Sequence, residues 1–176
     1  MTNFLSPILM IAIISGVFAQ EARNPMFEAQ KNAMKKLSFL AGKWSGKATV
    51  RRSTGEPIDL IQTEDIEYRL DGTILLIEGT GRDPKTSQVL FNAVGVVSYD
   101  AAKSVYEIRA YSDGRKVDSL LETDGAGFAW GFDSGPAQIR HVMKLTEKGE
   151  WSETTTAKVG DKPAMTSVQM LLQKLK

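Results

Sequence analysis

The chain has 176 residues, with 22 lysines and arginines against 21 aspartates and glutamates, one histidine and no cysteine. That length accommodates one domain with a sizeable core. The balanced, mixed-sign charge argues against nucleic acid as a partner, and the lack of cysteine excludes disulfides, thiolate metal sites and lipid attachment at cysteine.

Residues 1–19 read as a secretory signal peptide. An apolar run from Ile8 to Phe18 follows Asn3-Phe4-Leu5-Ser6-Pro7, and Val17-Phe18-Ala19 presents small residues at the two positions a signal peptidase reads. The run is short for a membrane span, so no stable span is expected after cleavage and the protein is expected to be secreted or periplasmic. No Lys or Arg precedes it, and an uncleaved anchor is the alternative.

Residues 20–36 form a tail and a helix. Asn24-Pro25 is a helix-entry signal, and Met26, Ala29, Ala33, Leu37 and Leu40 recur in steps of three and four along one face. The predicted helix runs from Met26 to Leu40 and stops at Gly42, where the backbone must turn.

From there, residues 37–176 change to a period of two. Trp44, Gly46, Ala48 and Val50 alternate with polar neighbours, as do Leu60, Gln62, Glu64, Ile66, Tyr68 and Leu70. Asp71-Gly72 is a hairpin signal leading to a strand over Thr73–Gly81, whose inward face the pattern leaves open. Strands follow over Val89–Tyr99, Val105–Ser112, Lys116–Glu122, Phe128–Phe132, Gln138–Leu145, Trp151–Lys158 and Met165–Lys174. About ten strands joined by short turns predict an all-β, antiparallel up-and-down barrel, with the helix closing one end. Such a barrel is wide enough to hold a cavity. An open two-sheet sandwich is the alternative.

The segment Gly42-Lys43-Trp44, entered from a short helix, resembles the Gly-x-Trp signature of lipocalins and their calycin relatives. The chain also resembles the bacterial lipocalin-like domain-of-unknown-function 1579 family. That likeness rests on Leu37–Gly46, Leu70-Asp71-Gly72-Thr73 with Ile77-Glu78-Gly79, Val97–Asp100, Arg109-Ala110-Tyr111, Trp130-Gly131-Phe132 and Gln169-Met170. It implies a calycin-like barrel, with Gly42 and Trp44 structural at the closed end and Lys174 or Lys176 over the indole. A more distant likeness, to nitrobindin-like barrels, implies haem held by a histidine near the chain end. Here the comparable strand has Ser167 instead.

The candidate cavity lining is Gln62, Glu64, Tyr68, Arg109, Tyr111, Trp130, His141 and Glu153. Gln62 and Glu64 share a face with apolar residues, and a buried carboxylate needs a donor or cation, for which Arg109 and Tyr111, and also Glu153 and Trp151, are the nominated partners. The alternative for each is a flipped strand with its charge in water. His141 falls in step with Ile139, Met143 and Leu145, which turns it inward as a haem ligand, a general base or a hydrogen-bonded interior histidine. Phe128, Trp130 and Phe132 form one aromatic face, either pocket or core wall, and Met143, Met165 and Met170 are candidates for an adaptable lining. With one histidine and no cysteine, no metal site and no resident cofactor is expected.

A few polar groups in an apolar barrel suggest an extracytoplasmic protein that binds a small apolar or amphipathic ligand. The two alternatives are an enzyme using an interior carboxylate for acid–base chemistry and a haem-binding barrel through His141. Ligand identity and oligomeric state carry no signature in the chain.

Overall fold

Ten antiparallel strands close on themselves in chain order. In this computed structural model, which describes residues 24–52 and 54–176, each strand pairs with the next and the last returns to the first. The expected signal peptide lies outside the described residues. The strands are β1 (Gly42–Val50), β2 (Ile58–Arg69), β3 (Ile74–Arg82), β4 (Val89–Asp100), β5 (Val105–Ser112), β6 (Arg115–Thr123), β7 (Gly127–Ser134), β8 (Ala137–Leu145), β9 (Trp151–Val159) and β10 (Met165–Lys174). Closure leaves no full-length sheet edge to protect, which a sandwich would.

The helix is shorter than its sequence pattern predicts. α1 spans Pro25–Met34, with Asn24 as N-cap accepting from the Met26 amide at 2.9 Å, and tightens into a 3-10 turn over Lys35–Leu37. The reason is visible in its carbonyls. Ala33 O accepts from the Tyr106 hydroxyl at 2.8 Å and Met34 O from the Tyr68 hydroxyl at 2.7 Å. Six residues on, Leu40 O accepts from Trp44 Nε1 at 2.7 Å. Helix-end carbonyls need partners, and the barrel's own aromatic side chains supply them.

Met34, Leu37 and Leu40 are fully buried and plug one end of the barrel beneath Trp44, Ile66, Leu75, Val97 and Leu172. Trp44 meets Trp151 edge-on at 5.7 Å, and Trp151 meets Phe128 edge-on at 5.7 Å, so three rings form a floor across the interior. Lys174 Nζ lies 5.1 Å from the Trp44 ring centroid. Gly42 makes room for that side chain: its φ is +120°, and a Cβ there would stand 2.8 Å from Lys174 Cε.

The inward face of β3 is now defined. Leu75, Gly79 and Gly81 are buried while Glu78 and Arg82 face water. The register sets Gly79 opposite Glu64 and Gly81 opposite Gln62. The barrel wall is uneven in one place. The β6–β7 ladder runs only from Leu121↔Trp130 to Thr123↔Phe128, and beyond it the Ser119 hydroxyl donates to Gly131 O at 2.7 Å.

Candidate functional site

Above the aromatic floor the side chains no longer fill the barrel. They leave a cavity of about 500 Å³ that opens between Arg52 and Asp113 at the end opposite the helix. Its wall is mainly apolar, with Leu60, Ile77, Ile108, Phe128, Trp130 and Trp151 among the lining residues. A few convergent polar groups in an apolar concavity are the usual form of a small-molecule site.

β2 supplies the first polar pair. Gln62 and Glu64 are 3% and 8% exposed, and Gln62 Nε2 donates to Glu64 Oε1 at 2.7 Å. Glycine across the ladder provides the space: a Cβ on Gly79 would stand 2.9 Å from both Glu64 carboxyl oxygens, and one on Gly81 would stand 2.9 Å from Gln62 Oε1. Burial pushes the Glu64 carboxyl up to about 7; the Gln62 hydrogen bond opposes this rise and the Glu153 charge adds to it. No buried side-chain nitrogen or oxygen among the described residues lacks a hydrogen-bond partner. Glu64 Oε2, which has no donor of its own, is therefore open to the cavity.

β8 and β9 supply the second group. His141 Nδ1 lies 2.9 Å from Thr155 Oγ1 and 3.4 Å from Glu153 Oε1, while Glu153 Oε2 accepts from Trp151 Nε1 at 3.0 Å. The His141 ring stacks on Trp130 with centroids 4.3 Å apart and planes at 7°, and Phe132 lies beside both rings, its centroid 5.7 Å from that of Trp130 and 6.1 Å from that of His141. Both protein partners of His141 sit on Nδ1. A proton on Nδ1 serves both oxygens and leaves Nε2 an acceptor, as in a histidine held by a carboxylate for ligation or proton transfer. For haem, His141 is the one imidazole among the described residues that would hold the iron.

Of the expected lining residues, Gln62, Glu64, Trp130, His141 and Glu153 line this cavity together. Tyr68 does not. It points inward at the closed end, where its hydroxyl holds Met34 O. Arg109 and Tyr111 correct the expectation outright. β5 turns Ile108 and Ala110 inward, Tyr111 is 44% exposed, and Arg109 pairs on the outer face with Asp118 of β6, which also holds Lys116. A guanidinium with a carboxylate at hand on the wet face gains nothing by entering an apolar interior. Gly42 and Trp44 sit at the closed end as expected, with Lys174 over the indole. Among the methionines, Met170 lines the cavity, Met143 is buried core and Met165 is exposed.

Sequence reasoning missed Gly79, Gly81 and Thr155. Two glycines at strand spacing in Gly79-Thr80-Gly81 are a signal that something approaches the backbone closely. Nothing comparable marks Thr155.

Solved structures resemble this arrangement. The crystal structure of Rv2717c from M. tuberculosis superposes with a TM-score of 0.63 at 12% identity, covering 82% of this chain and 98% of that one. The S-type phycobiliprotein lyase CPES from Guillardia theta superposes with a TM-score of 0.57 at 11% identity, covering 87% and 99%. The chain has a calycin-like barrel fold. It matches no protein-family model and no curated protein sequence. Among the described residues no helix is long and apolar enough to cross a membrane, and no group of three or more His, Cys, Asp or Glu side chains is placed to hold a metal ion.

Proposed function

We propose that this protein is an extracytoplasmic carrier or sensor barrel that holds a small apolar or amphipathic molecule in the cavity above Trp151. The observation that carries the reading is the cavity of about 500 Å³, apolar on most of its wall and polar at Glu64, Gln62, Glu153 and His141. A chain folding only for stability would fill that space, because interiors close-pack and every void forfeits contacts. The phycobiliprotein lyase among its structural neighbours adds a small-molecule precedent in the same fold. The signal-like residues 1–19 support an extracytoplasmic location, and the motifs shared with the domain-of-unknown-function 1579 group support kinship with it.

A thermal-shift and native mass-spectrometry screen against lipids, aromatic metabolites and haem tests the reading. Retention of a compound, with loss of that retention when Ala110→Trp fills the cavity, is the expected result. Haem belongs in the screen because of His141 Nε2, and a Soret band that disappears in His141→Ala would identify haem as the occupant. No binding by any class would overturn the proposal. N-terminal sequencing of the secreted or periplasmic fraction tests the location, with Gln20 as the expected first residue.

One observation favours a second reading. A cavity carboxyl lifted to about 7 by burial can both give and take a proton near neutral pH, as general acid–base catalysis requires. Turnover of a bound compound that stops in Glu64→Gln, with binding retained, would select the enzyme over the carrier.

A further inference from the structure

We infer that the cavity selects a ligand carrying a protonated amine, its ammonium seated between the Glu64 and Glu153 carboxylates and its apolar remainder directed to the mouth. This rests on the reading of the cavity as a ligand site and names the ligand's chemical class.

Two carboxylates line the interior, and the one cation among the lining residues is Arg52, at the mouth alongside Asp113. Several other basic side chains have partners away from the cavity. Lys43 pairs with Asp65, Arg109 and Lys116 with Asp118, and Arg140 with Glu122, all on the outer face. Lys174 sits at the closed end over Trp44. A carboxylate in an apolar interior ordinarily has an arginine or lysine beside it. Here none faces Glu64.

The second observation is the state of Glu64 itself. It is more than nine-tenths buried, it receives one side-chain hydrogen bond, from the amide of Gln62, and its Oε2 opens on the cavity. The chain sets glycine at position 79 where any larger residue would displace this carboxyl. A buried acid given room, one donor and an unused oxygen is complementary to a donor that arrives with the ligand.

The third is the wall. Phe128, Trp130 and Trp151 line the same space. Aromatic faces attract a desolvated cation, and carboxylates placed among them add charge-assisted hydrogen bonds. The same arrangement disfavours anions: a fatty carboxylate would have to enter a chamber that already holds two acids, with no lysine or arginine beside them and His141 already engaged with Glu153 and Thr155, which discriminates by repulsion. The chain as a whole carries a net charge of +1, so a preference for cations would come from the cavity and not from general attraction.

Octylamine, octanol and octanoate, matched in chain length, are titrated into the full-length protein at pH 7.5. Binding is read by tryptophan fluorescence and calorimetry. Octylamine is expected to bind about tenfold more tightly than octanol, which corresponds to one charge-assisted pair, with octanoate the weakest. In Glu64→Gln, which keeps the side-chain shape, the amine advantage should fall about tenfold while octanol affinity holds; Glu153→Gln should act in the same direction. Octanol or octanoate binding as tightly as octylamine would overturn the inference and leave the cavity reading standing. An amine preference unchanged in both variants would overturn the assignment to these carboxylates. Failure of all three compounds to bind would overturn the cavity reading and the inference with it.

Discussion

The Glu64 carboxyl group occupies the volume that a side chain on Gly79 would fill: a Cβ there would stand 2.9 Å from Oε1 and from Oε2. The acid and the glycine face each other across the β2–β3 ladder, so the cavity's buried charge and a gap in its wall are one construction. The Gly79→Ala variant is expected to push the carboxyl off Gln62 Nε2 and to lower stability by about 1 kcal/mol, the worth of that hydrogen bond, because the atoms it meets are the movable end of a side chain. Combining it with Glu64→Ala should remove most of that penalty. A double-mutant cycle by urea denaturation measures the coupling, and strictly additive losses would contradict the geometry.

The raised carboxyl predicts an unusual pH dependence. The Glu64 value is 4.5 in an exposed chain and about 7 in the fold, so between those values the folded state binds more protons than the unfolded state. Its contribution to stability is therefore greatest below about 4.5 and declines as pH rises through 7. The interval corresponds to roughly 3 kcal/mol at most. Melting curves from pH 5 to pH 8 on wild type and Glu64→Gln should differ in slope, the variant losing less stability towards alkaline pH.

The helix plug hangs on two tyrosine hydroxyls from different strands. Tyr68→Phe and Tyr106→Phe each leave a helix-end carbonyl without its donor and should cost about 1 kcal/mol. Amide hydrogen exchange should accelerate first over residues 25–37, ahead of the strands. Uniform acceleration across the barrel would show that the plug and the wall open together.

At the same end, Lys174→Met should cost about 0.5–1 kcal/mol through loss of the cation over Trp44. Gly42→Ala should cost more, because alanine meets both a φ of +120° and the Lys174 side chain. Chemical denaturation of both variants checks the order.

The architecture was legible because residues alternate along β1 and β2 and turn residues recur between strands. The inward phase of Leu60, Gln62, Glu64 and Ile66 follows from the apolar members of that set, and that of His141 follows in the same way from Ile139, Met143 and Leu145. β5 defeated the method. Ile108 and Ala110 alternate with Arg109 and Tyr111, and a small alanine against a large tyrosine points the wrong way. What decides is Asp118, which stands opposite Arg109 on the next strand, and strand register cannot be read one strand at a time. Gly79 was illegible for the same reason, since its meaning lies in the residue across the ladder. Tyr68 had the correct phase at the wrong height, because the pattern carries no coordinate along the barrel axis.

The short ladder between β6 and β7 makes the mouth a split collar instead of a ring. Everywhere else, widening the rim must pull apart consecutive backbone hydrogen bonds; between residues 115–120 and 131–134 it need only release the Ser119 hydroxyl from Gly131 O. The entrance thus has one stretch of wall without a register ladder, bridged by a serine hydroxyl, and it is there that a guest broader than the rim would meet the fewest paired strands.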